Sequence, residues 1–258
     1  MTTHSRLYWA ASDSLVMIGR SLRHTVRSVD TLLLGAILPT MLMLMFVHIF
    51  GGAINTGTAY VTYVVPGVIL LCAGYGSANT AVAVAADMAN GIVDRFRSLP
   101  ILSSAVLTGH VVASVARNLF ATVLVLVVAF ASGFRPTAGP LEWLAATGLL
   151  VLFMLAMSWV SVFLGMLAGS VESASAFTFV VLFLPYLSSG FVPTDTMPGF
   201  LRGFAEHQPI TPMIEALRGL LTDVPVDNPV PAALAWFGGL LVFGYVAASV
   251  LFRRRKPR

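Results

Sequence analysis

Long apolar runs separated by short polar connections dominate the chain. Six of them, at roughly 31–50, 61–86, 106–133, 143–168, 174–190 and 230–252, each reach the ~17 residues needed to cross a ~30 Å hydrocarbon layer. A backbone in lipid has to close its own hydrogen bonds, so the runs predict helices and not open strands. Pro39, Pro66 and Pro185 fall inside the runs or near their ends, where a kink is the expected consequence. The expected fold class is therefore an all-α integral membrane protein, with residues 1–258 forming one transmembrane domain.

Two stretches outside the runs carry a helical pattern but do not suit a span. Over 5–29, Tyr8, Ala11, Leu15, Ile18, Leu22 and Val26 share one helical face, and Asp13, Arg20, Arg23 and Arg27 share the other. This predicts an N-terminal amphipathic helix lying in the membrane interface; a surface helix packed on its own protein would have the same pattern. The connection 191–229 is apolar and rich in Pro and Met. Pro198 and Pro212 are placed like first-turn prolines of two short helices, 198–207 and 212–222. Each would be only about 15–17 Å long. In the second, Ile214, Leu217 and Leu221 share a face, and Glu215 and Arg218 are spaced to pair at i,i+3. A re-entrant outer helical hairpin before the last span fits this segment, as does an ordinary external loop with two helical turns.

Composition agrees with the pattern. The 258 residues are 57% hydrophobic and 10% charged, with a mean hydropathy of +0.88. A soluble domain carries roughly 25% charged residues, so lipid has to solvate part of this surface. The net charge of +4 is unevenly placed. Eleven Lys and Arg fall in the N-terminal segment (Arg6, Arg20, Arg23, Arg27), the loop after the second run (Arg95, Arg97) and the C-terminus (Arg253, Arg254, Arg255, Lys256, Arg258). Only Arg135, Arg202 and Arg218 fall in the alternate connections. Basic residues collect on the cytoplasmic side, so both termini are expected there, which demands an even number of spans. The first run follows about thirty residues that include several Arg, so it is expected to stay in the membrane and not leave as a signal peptide.

The chemistry-bearing residues are few. Cys72 is the one cysteine and lies inside a run, which leaves no disulfide framework and no cysteine metal site. There is no GxxxxGK[ST] and the one lysine is Lys256, so no P-loop phosphate cradle is expected. His4, His24, His48, His110 and His207 are scattered, and no GxSxG elbow occurs. The chain is therefore expected not to be an enzyme and to hold no cofactor of its own. Asp87 and Glu172 fall at cytoplasmic ends of runs, which argues against a proton- or sodium-coupled carrier. No polar pore-lining pattern supports a channel. Arg117 lies about 25 Å from the outer end of the third run, near the inner interface, where it can snorkel; a buried functional arginine is the other reading. Asn79 on the second run is either a lumen-facing polar group or an interhelical hydrogen bond.

The run Pro185-Tyr-Leu-Ser-Ser-Gly-Phe-Val-Pro193, followed by Met197, Pro198, Leu201, Pro209, Thr211 and Arg218, resembles the signature of type-2 ABC exporter permeases, most of all the daunorubicin-resistance branch. The loop from Asp87 to Pro100, with Gly91, Asp94 and Arg95, is similar to that family's coupling loop. The resemblance covers about residues 5–252. It implies six spans, an interfacial helix and a re-entrant hairpin in each subunit. It also implies two permeases, a second copy or a paralogue, joined to two ABC ATPase subunits that bind ATP and Mg.

On that resemblance the ATPase coupling residues are Gly91, Asp94, Arg95, Phe96, Arg97, Leu99 and Pro100. Gly91 allows a turn, the charges suit a partner groove, Phe96 and Leu99 suit an apolar pocket, and Pro100 stops a short helix before the third run. The pathway or outer gate is expected at Asn79, Tyr186, Phe191, Met197 and Leu217. The expected function is export of an amphipathic drug or lipid-like small molecule from a bacterial inner membrane, with lipid as the surrounding partner and no nucleic acid. A largely apolar lining suits such a substrate. A polysaccharide or lipid-linked glycan export permease is the alternative, ahead of a secondary carrier or channel; a membrane-embedded enzyme has no catalytic constellation to support it.

Overall fold

A computed structural model describes residues 29–54, 56–91, 103–222, 224 and 227–254. Every regular element among them is helical. Helix α1 (Val29–Met45) runs into a π-helical turn, Phe46–Phe50. Then come α2 (Tyr60–Ala89), α3 (Ser103–Ala131), α4 (Pro140–Leu167) and α5 (Val171–Phe183), the last followed by a 3-10 turn, Leu184–Leu187. A second 3-10 turn, Thr194–Thr196, precedes two short helices, α6 (Gly199–His207) and α7 (Ile210–Leu221), and α8 (Val230–Arg254) ends the described fold.

Four helical segments among the described residues are long and apolar enough to cross a membrane: Tyr60–Ala89, Val106–Ala131, Pro140–Leu167 and Val230–Arg254. Two further apolar segments, Ala36–Phe50 and Val171–Leu187, are shorter. Most of the expected interfacial helix 5–29 lies outside the described residues, while Val29 itself already belongs to α1.

The helix ends follow local chemistry. Proline at the first position opens α4, and the Glu142 carboxylate accepts from the Gly139 N–H to close a cap. Ser170 caps α5 by accepting from the Ser173 N–H. The fifth run was expected to stay helical to 190, but α5 ends at Phe183. Pro185 has no N–H to give, and the chain tightens into a 3-10 turn around it. Pro39 and Pro66, by contrast, lie within α1 and α2. Helix α7 starts at Ile210, two residues before the expected 212, with Pro209 as its N-cap. Pro212 then sits in the first turn, where a missing N–H leaves no bond unmade.

Helix α2 is the hub, packed on α3, α4 and α5, while α4 packs on both α2 and α8. Contact between α2 and α4 is backbone-close: a Cβ on Gly165 would run into the Ala81 carbonyl oxygen. Small residues allow this approach where lipid gives no hydrophobic drive between helices. Polar side chains reinforce it. The Ser114 hydroxyl accepts from Thr80 and from Ser158, each at 2.9 Å, and the Asn118 amide donates to Ser77 at 2.9 Å. These five side chains join α2, α3 and α4, and all are buried. The interhelical bond considered for Asn79 is thus made by Asn118 instead. Asn79 lies about 200° around α2 from Ser77 and is exposed.

Candidate functional site

Once Pro185 has ended α5, residues 188–191 turn back against the first half of α2. The turn holds itself by the Ser188 hydroxyl, which donates to the Pro185 carbonyl and accepts from the Gly190 N–H at 3.1 Å. It can lie flat on α2 because two glycines meet: a Cβ on Gly67 would stand 2.6 Å from the Gly190 carbonyl oxygen. Two carbonyls of the turn then face donors from other elements. Tyr60 Oη donates to Phe191 O at 2.9 Å, and Tyr63 Oη donates to Ser189 O at 2.8 Å.

Arg218 of α7 completes the lock. Its Nη2 donates to Ser189 O at 2.7 Å and to Tyr63 O at 3.2 Å, and its Nε donates to Tyr63 O at 3.3 Å. Its guanidinium carbon lies 3.8 Å from the centre of the Tyr63 ring. The residue is only 3% exposed. These hydrogen bonds to carbonyls take the place of the expected ion pair with Glu215. Burial pushes the Glu215 carboxyl up, opposed by the charge of Arg218. Around the same turn, Gln208 Nε2 donates to the carbonyls of Leu184 and Leu187 at 3.2 and 2.9 Å, and Thr211 donates to Ala205 O.

An aromatic cluster ties this turn to α1. Phe191 stacks on Tyr186, with ring centres 4.7 Å apart and planes 13° apart, and lies 4.7 Å from Phe46 of the π-helical turn. Phe183 stands 6.3 Å from Tyr186. A clamp of hydrogen bonds and a stack of rings thus meet on one short turn. That is a geometry able to hold two helical groups together or, if the rings part, to release them.

The structure does not gather the expected gate residues into one place. Tyr186 and Phe191 are in the aromatic cluster. Met197 is half-buried after the second 3-10 turn. Leu217 is buried on α7 and lines an apolar cavity with residues of α2, α3 and α4. Asn79 is exposed on α2, about 15 Å before its end at Ala89. On the opposite end of the bundle, Gly91 has the left-handed φ of +69° that a turn there needs. Asp94, Arg95, Phe96, Arg97, Leu99 and Pro100 lie outside the described residues. The helices on either side of this loop are joined by a polar contact, His110 Nε2 to Asp87 Oδ2 at 3.1 Å. Arg117 is half-buried on α3.

Sequence reasoning missed Tyr60, Tyr63, Gly67, Asn118 and Ser114. A signal existed for the tyrosines alone: two phenols at i,i+3 at the start of a long apolar run, each with a hydroxyl in need of a partner. Among the described residues no group of His, Cys, Asp and Glu could hold a metal ion.

The model of one protein family, described as the ABC-2 type transporter, matches residues 13–222. A daunorubicin resistance ABC transporter permease protein of Streptomyces coeruleorubidus is 30% identical over 187 residues, which cover 72% of this chain and 66% of that protein. A probable doxorubicin resistance ABC transporter permease protein of Mycobacterium tuberculosis is 26% identical over 255 residues, or 97% of this chain and 91% of its own length. An inner membrane transport permease of Escherichia coli K12 is 29% identical over 245 residues, covering 92% and 91%.

Proposed function

This chain belongs to the ABC-2 type transporter family, and we propose that it is the permease subunit of an ATP-driven exporter that moves an amphipathic drug or lipid-like molecule out of the cytoplasm or inner leaflet. The family match over residues 13–222 carries the transporter reading. The substrate class is supported by the drug-resistance names of two relatives and by the apolar character of the bundle.

In this reading the shorter segments Ala36–Phe50 and Val171–Leu187 join the four long ones to make six passes of an inner membrane. Helices α6 and α7 form the re-entrant outer hairpin. Phe200 and Phe204, exposed on α6, suit contact with outer-leaflet lipid. Both termini are cytoplasmic. Two ABC ATPase subunits bind ATP and Mg and dock on the loop that follows Gly91. A second permease, identical or a paralogue, completes the pathway. Asn79 is exposed in the single subunit at a depth where hydrocarbon would leave its amide without partners, which suits a place facing the second permease or the pathway.

The clamped turn at 188–191 acts as the outer gate. Closed, its carbonyls are held by Tyr60, Tyr63 and Arg218; on ATP binding, α5 and α7 shift and the aromatic cluster parts. The test is co-expression with an ABC ATPase from the same genome and reconstitution in liposomes. Drug-stimulated ATP hydrolysis and ATP-dependent drug movement are expected only when both chains are present. ATP turnover by this chain alone, lost on a point mutation within it, would overturn the reading.

A further inference from the structure

Between α3 and α4 lies a cavity of about 130 Å³ that the gate does not use. Its walls include Thr122, Val123 and Trp143, and its floor is Leu217 and Leu221 of α7. Thr122 stands about 14 Å before the end of α3, and Trp143 is in the first turn of α4, so the cavity belongs to the outer half of the bundle. It opens at the subunit surface beside Val123 and Thr147, both exposed.

Two features specify an occupant. The first is size: an apolar cavity of ~150 Å³ takes one benzene ring. The second is the Thr122 side chain, which is 3% exposed and whose hydroxyl has no hydrogen-bond partner among the described residues. A helical threonine usually returns its proton to the carbonyl one turn back. It also divides between two χ1 wells, so a single rotamer change can turn its hydroxyl toward the cavity. An acyl chain offers such a hydroxyl nothing, whereas a ring that carries oxygen does.

We propose that this cavity binds the aromatic, oxygen-bearing end of a membrane-dissolved amphipathic molecule, with one ring between α3 and α4 and its oxygen on the Thr122 hydroxyl. The proposal rests on the exporter reading for what such a molecule is, but not for whether it binds. Occupancy presses on Leu217 and Leu221, on the same helix that presents Arg218 to the gate.

The test uses the complete exporter in proteoliposomes and a phenol that carries a trifluoromethyl diazirine, with the same compound lacking the hydroxyl as control. Photolabelling mapped by mass spectrometry is expected to concentrate on Val123, Trp143 and Thr147. The phenol should exceed the control by about fivefold there, the discrimination of roughly one hydrogen bond. Thr122→Val, which keeps the shape, should reduce the phenol to the level of the control. Val123→Phe at the exposed mouth should block both compounds.

Even labelling along the lipid-facing helices, or labelling unchanged by both variants, overturns the proposal. So does exclusion of the phenol by a diazirine-bearing phospholipid that labels the same residues, since the site is then a lipid site. Drug-stimulated ATP hydrolysis in the same vesicles is read separately. Labelling of the cavity without stimulated hydrolysis keeps the site and removes the exporter reading; stimulated hydrolysis without labelling does the reverse.

Discussion

A buried guanidinium needs acceptors from its own surroundings, and Arg218 finds them in the carbonyls of Ser189 and Tyr63. Each hydrogen bond to a charged donor contributes about 1.5–3 kcal/mol, against about 1 kcal/mol for a neutral one. Arg218→Met should therefore lower the thermal midpoint of the purified exporter clearly more than Tyr63→Phe, which loses one hydroxyl bond and keeps the ring beneath the guanidinium. Both variants should raise drug-independent ATP hydrolysis if the turn is a gate. Equal midpoints for the two would mean that the turn is held by packing and not by this clamp. The identity of Arg218 was legible in the sequence, as part of the run that resembles a permease signature. Its partners were not. Spacing pointed to Glu215 three residues away, whereas the real acceptor on Tyr63 is 155 residues distant and its fellow on Ser189 faces the arginine only after the chain has turned at Pro185.

Helices were the most legible level, because lipid forces their length and apolarity. Runs two, three, four and six reappear within a few residues as α2, α3, α4 and α8. The end of the fifth was placed seven residues late because hydropathy does not register a proline that ends a helix. How helices touch was not legible, since a glycine in a run gives no sign of which neighbour it admits. Gly165 and Gly148 lie on the same helix and make the point testable. A Cβ at 165 would strike the α2 backbone at Ala81, while a Cβ at 148 meets nothing within 4 Å. Gly165→Ala should force α2 and α4 apart and reduce the yield of folded exporter. Gly148→Ala should leave it unchanged or stabilise it by about 0.5–1 kcal/mol, the helix-propensity gain. Yield and thermal midpoint in detergent measure both, and equal effects would deny that α2–α4 contact is set by backbone approach. The proposed docking loop has its own test. An apolar anchor in a small interface typically costs more than ~1–2 kcal/mol when removed, and a rim charge little. Phe96→Ala should weaken ATPase association or uncouple transport with membrane insertion intact, and Asp94→Ala and Arg95→Ala should show smaller, salt-dependent effects. Unchanged complex yield and unchanged drug-stimulated hydrolysis in both Phe96→Ala and Leu99→Ala would exclude this loop as the coupling element.

At the scale of the whole molecule, the proposed orientation turns on which basic residues are free to meet anionic headgroups. All three arginines assigned outside are already engaged by the protein. Arg135 donates to the carbonyls of Phe130 and Phe134, Arg202 is paired with Glu206 at 2.7 Å, and Arg218 is buried. At the other face, Arg253 and Arg254 at the end of α8 are exposed. In the orientation proposed above, the cytoplasmic side retains the face that carries Arg253 and Arg254. The consequence can be measured with His4→Cys, Lys256→Cys and Asp227→Cys, each in a Cys72→Ala background. Position 227 is exposed, on the connection between α7 and α8, and so can react if it is outside; Ala205 in the same outer segment is buried and would be silent on either side. In intact cells a membrane-impermeant maleimide should label the cysteine at 227 and spare those at 4 and 256, and permeabilised cells should show all three labelled. Labelling of either terminus from outside would invert the topology. It would also move the clamped turn at 188–191 to the cytoplasmic face, where it could not be an outer gate, and the loop after Gly91 to the outside, where no ATPase could reach it.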